Sequence, residues 1–260
     1  MRFHNARVAA ALALATALSG QEFDVATIKP TAPGTFQKGF YFLPGGGLQT
    51  LNVSLKDLVV LAYDVLPQQI QGGPPWITAD RYDVNAKLLA EDQGDPATVA
   101  HAERLKWRER IRLRTRALLA SRFNLAFHKE TREFAVYELR VDKNGPKADV
   151  LKKTEANGGI NFLGNRAVSN GGDMHDLALI LEAIVKEPVI DRTGLTGAYS
   201  FTLRWSTDEL SAVPETPTRE QDKSPSIFTA LREQLGLRLD STKGPLEVIV
   251  IDRAEKPSEN

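Results

Sequence analysis

Hydrophobic and polar residues alternate with period two in several short segments of the chain, and this pattern is typical of half-buried strands. Residues 23–30 alternate and end at a proline, and residues 81–87 and 199–205 alternate in the same way. Residues 39–43 are rich in aromatic side chains, and the glycine-rich turn after them leads to a second apolar segment at 48–51. We therefore predict a hairpin over residues 39–51.

Two segments carry the start signal of a helix followed by apolar residues at helical spacing. Ser54 precedes Asp57 by three residues, which favours a cap in which the serine oxygen accepts a free backbone N–H. Asp173 precedes Asp176 with the same spacing. We predict helices after both caps, a long helix over residues 97–121, and a shorter helix over residues 226–234 that ends at Gly236.

The remaining segments are assigned from turn residues and polarity. We predict two hairpins, one formed by 123–128 and 133–141 around a polar tip at 129–132, and one formed by 237–239 and 246–252. Residues 71–76 contain two glycines and two prolines and predict a rigid loop, and residues 188–197 predict a turn-rich connector. The polar segments 92–96 and 207–224 predict flexible linkers.

The order strand, strand, helix, strand, helix, strand, strand occurs twice along the chain. Phe42 matches Phe162, and Tyr82 matches Tyr199, with a spacing that decreases steadily toward the C-terminus. Repeated element order is the signature of internal duplication. We predict an α+β fold with mixed or antiparallel sheets and helices packed on one face, built from two modules at residues 21–150 and 151–260.

Residues 1–20 have the pattern of a secretory signal peptide. Arg2 and Arg7 give a positive start, an apolar run covers residues 8–18, and small residues follow it. The run is too short to cross a bilayer core, which needs about 20 apolar residues. We expect cleavage near Ser19 to Gln21, a periplasmic or secreted protein, and no transmembrane segment in the mature chain.

Composition excludes several classes of function. The 260 residues contain 33 basic and 33 acidic residues and no cysteine. Charge balance argues against nucleic acid as a partner, and the missing cysteine excludes disulfides and thiolate chemistry. The arginine-rich segment 108–116 is interpreted as a solvated helix face, with a patch for an anionic ligand as the alternative.

No catalytic, phosphate-binding or dinucleotide-binding motif is present in the sequence. His175 lies beside Asp176, but neighbouring residues of a helix do not face each other. His128 and Glu130 share one face of a strand, so a metal site is geometrically open, although a solvated hairpin tip explains them better. Residues 191–194 are interpreted as turn formers that hold the connector. We predict no catalytic, metal or cofactor residues, and no cofactor.

Three aromatic residues form the candidate binding surface. Trp76 lies in the double-proline loop, Tyr41 in the first hairpin and Trp205 at the end of a strand. Rigid aromatic side chains make favourable binding contacts because little conformational freedom is lost. The alternative is that each packs onto its own module.

Several motifs in order resemble a family of soil bacteria (Solibacter and Acidobacteria type) that carries domain of unknown function 3738. They lie at residues 23–30, 72–76, 122–133, 191–197 and 250–257. The resemblance implies export and an origin in Acidobacteria or relatives, and fusions of this domain to BlaR-type antirepressors imply a sensing role. Each half is also similar in pattern to the short N-terminal domain of secretins and TonB-dependent transducers, which are periplasmic protein-contact modules.

Three functions follow from these observations as hypotheses. The first is an exported, non-enzymatic module that binds an envelope protein or a cell-wall ligand. The second is an extracytoplasmic hydrolase that uses two carboxylates as acid and base, which needs no sequence motif. The third is a ligand-sensing domain of an envelope signalling system.

Overall fold

The fold is α+β, as the sequence predicts, with strands and helices interspersed along the chain. A computed structural model describes residues 22–88, 101–156, 158–206 and 224–257. The predicted signal peptide, the linker at 92–96 and most of the linker at 207–224 lie outside the described residues.

The strands and helices are numbered in chain order. The strands are β1 (Val25–Pro30), β2 (Gly39–Leu43), β3 (Gly47–Val53), β4 (Ile70–Gly72), β5 (Tyr82–Lys87), β6 (Ala126–Val141), β7 (Lys152–Thr154), β8 (Ile160–Leu163), β9 (Arg166–Gly172), β10 (Val189–Asp191), β11 (Ala198–Arg204) and β12 (Leu237–Arg253). The helices are α1 (Leu55–Tyr63), α2 (Trp76–Ala79), α3 (His101–Phe123), α4 (Met174–Val185) and α5 (Ile227–Ala230), which continues as a π-helical turn, Leu231–Leu235.

The described strands form three four-stranded sheets, two of which have the same internal order. The first sheet runs β1-β5-β3-β2 and the third runs β7-β11-β9-β8. Each position of the first sheet has a counterpart at the same place in the third, and all pairs in both sheets are antiparallel. The two halves therefore share an arrangement as well as an order of elements.

The central sheet, β10-β6-β12-β4, is built from both halves of the chain. β6 and β12 pair antiparallel over the whole length of β6. β10 adds in parallel to β6, and β4 adds in parallel to β12, so each short strand joins the long strand of the other half. The two halves are thus interleaved through this sheet.

The two closing hairpins predicted from the sequence are wrong, because β6 and β12 are each one continuous strand. The polar segment at 129–132 resembles a hairpin tip in sequence, but it lies within β6, along the exposed part of the antiparallel pair of β6 and β12. Lys129 Nζ, for example, lies 2.6 Å from Glu247 Oε1 on the opposite strand. Cross-strand ion pairs of this kind favour polar residues within an exposed pair of strands.

The predicted rigid loop and connector are also partly wrong, because the three-residue strand β4 overlaps the loop at residues 71–72 and the three-residue strand β10 lies within the connector. Ile70 in β4 pairs with Ile249, and Val189 in β10 pairs with Tyr137. Three residues are too few to show a period of two, and the partner strands are distant in sequence. Trp76, assigned to the same loop, begins the short helix α2.

Both predicted helix caps are confirmed. Ser54 Oγ accepts the backbone N–H of Asp57 at 3.1 Å, and Asp57 Oδ2 accepts the backbone N–H of Ser54 at 2.9 Å. Asp173 and Asp176 exchange the same two hydrogen bonds at the start of α4. Gly236 follows the π-helical turn with a φ of 68°, which is the left-handed conformation expected at a helix end.

Two hydrophobic clusters fill the interior, and each includes a strand from the opposite half. The first packs α1 and the C-terminal part of α3 against the first sheet, and it also contains Ile249 and Ile251 of β12. The second packs α4 and α5 against the third sheet, and it also contains Leu139 of β6. Each cluster therefore contains residues from both halves of the chain, as the central sheet does.

The solvated helix face predicted at residues 108–116 is wrong for Arg114, which is buried in α3, and Arg104 earlier in the same helix is buried as well. Arg104 and Arg114 are each only 6% exposed. Arg104 Nη1 donates to the carbonyl of Gly158 at 2.6 Å, and Nη2 donates to the carbonyl of Gly171 at 2.5 Å, which compensates for burying the guanidinium. Within the part of the chain that the structure describes, no helix is long and apolar enough to cross a membrane, and α3 is too charged to do so.

Candidate functional site

A groove of about 390 Å³ lies where β2, α1, α3 and α4 meet, and we call it the junction groove. Its volume falls in the range of about 300–1,000 Å³ that is typical of small-ligand pockets. Its lining is mainly apolar, with charged side chains from three helices and their ends. The lining residues are Phe40, Phe42, Asp57, Val60, Leu61, Asp64, Val65, Leu66, Pro67, Trp107, Arg108, Ile111, Arg112, Asp176 and Leu179.

Aromatic and aliphatic side chains form one wall of the junction groove. The rings of Phe42 and Trp107 meet edge to face, with centroids 5.3 Å apart. Trp107 is buried, whereas Phe42 is 42% exposed and Leu179 is 43% exposed. The indole N–H of Trp107 has no hydrogen-bond partner among the described residues. The groove therefore has a partly exposed apolar surface at Phe42 and Leu179, and the buried ring of Trp107 packs against Phe42.

Basic side chains in and beside the groove compensate its carboxylates. Arg112 Nη2 lies 2.5 Å from Asp64 Oδ1, and Arg108 Nη2 lies 2.8 Å from Asp176 Oδ1. Asp57, the third carboxylate, is paired with Lys38 at 2.7 Å and with Arg81 at 3.3 Å. Each carboxylate in the groove therefore has a basic partner, and no carboxylate charge there is left uncompensated.

The position of Asp64 follows from the end of α1. Asp64 is the C-cap residue, with a φ of 54° in the left-handed region, which aspartate tolerates better than most residues. Burial raises the pKa of its carboxyl, but the hydrogen bond with His175 and the charge of Arg112 outweigh burial, so the pKa is lowered. Asp64 is accordingly held as a carboxylate between α3 and α4.

His175 and Glu182 continue this ionisable network along α4, outside the groove lining. His175 Nε2 lies 3.3 Å from Asp64 Oδ2, and this contact raises the pKa of the imidazole. Burial raises the pKa of Glu182 to about 7. Glu182 Oε1 also accepts the backbone N–H of Val189 at 3.0 Å, which fixes the turn from α4 into β10. The carboxyl pKa is therefore lowered at Asp64 and raised at Glu182.

Replacing Glu182 with glutamine is expected to stabilise the protein above about pH 7. The folded state binds the Glu182 proton more tightly than the unfolded state, so this group lowers the free energy of unfolding as pH rises from about 4.5 to about 7. Glutamine keeps the acceptor for Val189 and removes the buried charge. We expect a gain of about 1–2 kcal/mol above pH 7, after allowing for solvent screening, that vanishes below about pH 4.5.

Urea unfolding of the wild type and of Glu182→Gln across this pH range measures the effect. Glu187→Gln is the matched control, since Glu187 is an exposed carboxylate between the end of α4 and β10. His175 also makes the wild type lose stability as pH rises, because its folded-state pKa is raised. Only the difference between the two proteins is therefore assigned to Glu182, and an equal pH profile for both would contradict the prediction.

The structure does not bring the three candidate aromatic residues together as one surface. The prediction is wrong for Trp205, which is 1% exposed and stacks against Phe162 with centroids 5.8 Å apart. Trp76 packs partly buried against the first hydrophobic cluster, with Lys256 Nζ 5.8 Å from its ring centroid. Tyr41 remains accessible at 37% exposed. Binding through Tyr41 or Trp76 stays a prediction.

His128 and the connector are both held by polar contacts of side chains. His128 Nδ1 lies 2.9 Å from Asp252 Oδ1, and Nε2 lies 3.2 Å from Glu130 Oε1, so His128 and Glu130 do share one face. They lie within β6 and not at a hairpin tip. In the described ranges, no group of three histidine, aspartate or glutamate side chains is arranged to hold a metal ion. Asp191 Oδ1 accepts the N–H and hydroxyl of Thr193, which holds the connector.

Sequence reasoning missed the junction groove because its residues come from elements that are far apart in the chain. In the sequence, Arg108 and Arg112 are only members of a charged run, and no local pattern marks Asp64 as a site residue. The i, i+4 spacing of the two arginines, which places them on one face of α3, is the one local signal that was available.

The strands and helices define an α+β protein in which two similarly ordered sheets flank a shared central sheet. The chain belongs to the family described as Protein of unknown function (DUF3738), which matches residues 56–254. No curated protein matches the chain, and no solved structure matches it. The family resemblance is thus confirmed, whereas the origin in Acidobacteria and the similarity to secretin domains remain predictions.

Proposed function

We propose that this protein is an exported, non-enzymatic binding module of the bacterial cell envelope, and that the junction groove is its contact site. The observation that carries the proposal is an open apolar groove whose carboxylates are already paired with basic side chains. Such a surface suits a partner that contributes apolar groups. Export rests on the signal-peptide pattern of residues 1–20, and the partner is an envelope protein or a cell-wall ligand.

The proposal includes an internal duplication. The first and third sheets share one strand order, and in the central sheet each half of the chain adds a short strand to the long strand of the other half. This correspondence supports a common origin of the two halves, with boundaries close to residue 150. Peptide-recognition domains bind through sheet edges and grooves of this kind.

The hydrolase with two carboxylates is the second candidate. It is favoured by the opposite pKa shifts of Asp64 and Glu182, since acid and base roles require such a difference. Glu182 does not line the groove, and one of its oxygens is bonded to the backbone of Val189. We therefore rank binding above hydrolysis. The sensing function rests on the family resemblance and is a third proposal.

Capture from the envelope fraction of the source organism tests the proposal. Tagged protein covering residues 21–260 is used as bait, and Phe42→Glu is compared with wild type. A carboxylate at position 42 places an unpaired charge on the apolar wall beside Trp107. We expect recovery of the partner to fall about tenfold or more, which corresponds to about 1.4 kcal/mol of binding free energy.

Phe36→Glu is the control, because Phe36 is 94% exposed and outside the groove. Circular dichroism verifies that both variants are folded. Equal recovery with wild type, Phe42→Glu and Phe36→Glu would reject the groove as the contact site. Hydrolysis of a peptidoglycan or polysaccharide preparation that Glu182→Gln abolishes would instead support the second candidate.

A further inference from the structure

Strand β2 is an edge strand beside the junction groove. In the first sheet it pairs with β3 only, through residues from Gly39↔Leu51 to Leu43↔Gly47. No other strand among the described residues pairs with its outer side. An edge of this kind presents backbone N–H and C=O groups to solvent and is a template for an additional strand.

The side chains of β2 connect this edge to the groove. Phe40 and Phe42 are two residues apart, so they project from the same face of the strand, and both line the groove. Tyr41 projects from the opposite face and receives a hydrogen bond from Gln37 at 2.9 Å. None of the residues from Gly39 to Leu43 is charged or proline, so the strand lacks the usual protection of an exposed edge.

The charges around the groove favour an uncharged occupant. Asp64 forms an ion pair with Arg112, and Asp176 forms one with Arg108. Asp57 forms ion pairs with Lys38 and Arg81. A charged side chain entering the groove would lose hydration without gaining an unpaired counter-charge. An apolar side chain gains contact with Phe42 and Leu179, both of which are partly exposed.

We propose that the junction groove receives the apolar side chains of an extended polypeptide segment that pairs with the open edge of β2. This inference rests on the proposed function and specifies the partner as a protein strand. The added strand forms main-chain hydrogen bonds with β2, and its alternate side chains enter the groove. Residues at i and i+2 of the segment lie about 7 Å apart, so the groove selects an alternating pattern.

A displayed library of random peptides of about ten residues, the upper length of a typical strand, provides the probe. The bait is the whole mature chain, and the library is depleted first on Phe42→Glu. We expect selected peptides to carry uncharged apolar residues at every second position. A synthetic copy of one such peptide is then N-methylated on alternate residues, in two versions of opposite phase.

N-methylation removes backbone N–H donors without changing side chains. In an added strand, the N–H groups of alternate residues point toward β2 and the others point away from it. The version that is methylated on the residues facing β2 is expected to lose about tenfold or more in affinity, measured by fluorescence anisotropy, and the other version far less. Equal losses in both versions, or apolar spacing of three and four residues in the selected peptides, would overturn the strand mode. Either pattern would indicate side-chain or helical recognition.

Three further outcomes show whether this inference fails alone or together with the proposed function. Should envelope capture depend on Phe42 while no peptide is selected, the groove remains a contact site and the strand partner is rejected. Should neither experiment respond to Phe42→Glu, both are rejected. A concentration-dependent dimer in light scattering that Phe42→Glu dissociates would assign the edge to a second copy and would also overturn the inference.

Discussion

Residues 21–150, expressed without the rest of the chain, are expected to remain largely unfolded. In the structure, β6 has β10 on one side and β12 on the other, and both belong to the second half. β4 has β12 as its partner. The first hydrophobic cluster would also lose Ile249 and Ile251. The fragment would keep one four-stranded sheet but would expose β6 and β4 without partner strands.

Mixing this fragment with residues 151–260 is expected to restore folded protein, because each fragment supplies the strands that the other lacks. Circular dichroism and gel filtration of each fragment and of the mixture measure the effect. The full chain is the control. Cooperative urea unfolding of residues 21–150 alone would contradict the interleaved architecture and would favour two modules that fold separately.

Arg104→Met is expected to reduce the free energy of unfolding by about 2–4 kcal/mol. The substitution keeps most of the aliphatic length but removes the donors to the carbonyls of Gly158 and Gly171. Hydrogen bonds to charged groups contribute about 1.5–3 kcal/mol, and unsatisfied buried carbonyls add a desolvation cost. Gly171 has a φ of 109°, so the segment that loses its support is already in a conformation that few residues adopt.

Arg110→Met is the matched control, because Arg110 lies on the same helix and is exposed. Its effect on the free energy of unfolding is expected to stay within about 0.5 kcal/mol. Urea unfolding at constant pH compares both variants with wild type. The same small change in the two variants would show that the Arg104 contacts add nothing to stability.

Local signals were sufficient for the parts of the fold that depend on neighbouring residues. The hairpin of β2 and β3, both capped helices and the stop at Gly236 are all found where the sequence predicts them. In each case the controlling interaction joins residues within a few positions of one another. Hydrophobic period, capping oxygens and glycine conformation act over that distance.

The elements that sequence analysis missed depend on partners that are distant in the chain. β6 continues through a polar segment because β12 pairs along its full length, and the β4 and β10 strands exist only through their partners. The burial of Arg104 likewise requires two carbonyls more than fifty residues away. Composition alone cannot distinguish an arginine that faces water from one that donates to buried carbonyls.

The candidate site was predictable only in its general character. The sequence predicts Tyr41 as the contact residue of the first hairpin, yet the side chains that line the groove from this hairpin are Phe40 and Phe42 on the other face. The sequence predicts Trp205 as a surface residue, but its side chain is 1% exposed. Which face of a strand meets solvent depends on the packing of α1 and α3, and that is not encoded in the strand itself.

The central sheet holds the two halves of the chain together in the way that a shared sheet holds the subunits of an interleaved dimer. In a dimer of identical chains, every substitution appears at both symmetry-related positions. Here the two corresponding edges differ: Phe42 meets Trp107 edge to face, whereas Phe162 lies nearly parallel to Trp205, at 13°. Because both edges lie in one polypeptide, a substitution at one edge leaves the other unchanged, so the two edges can carry different side chains.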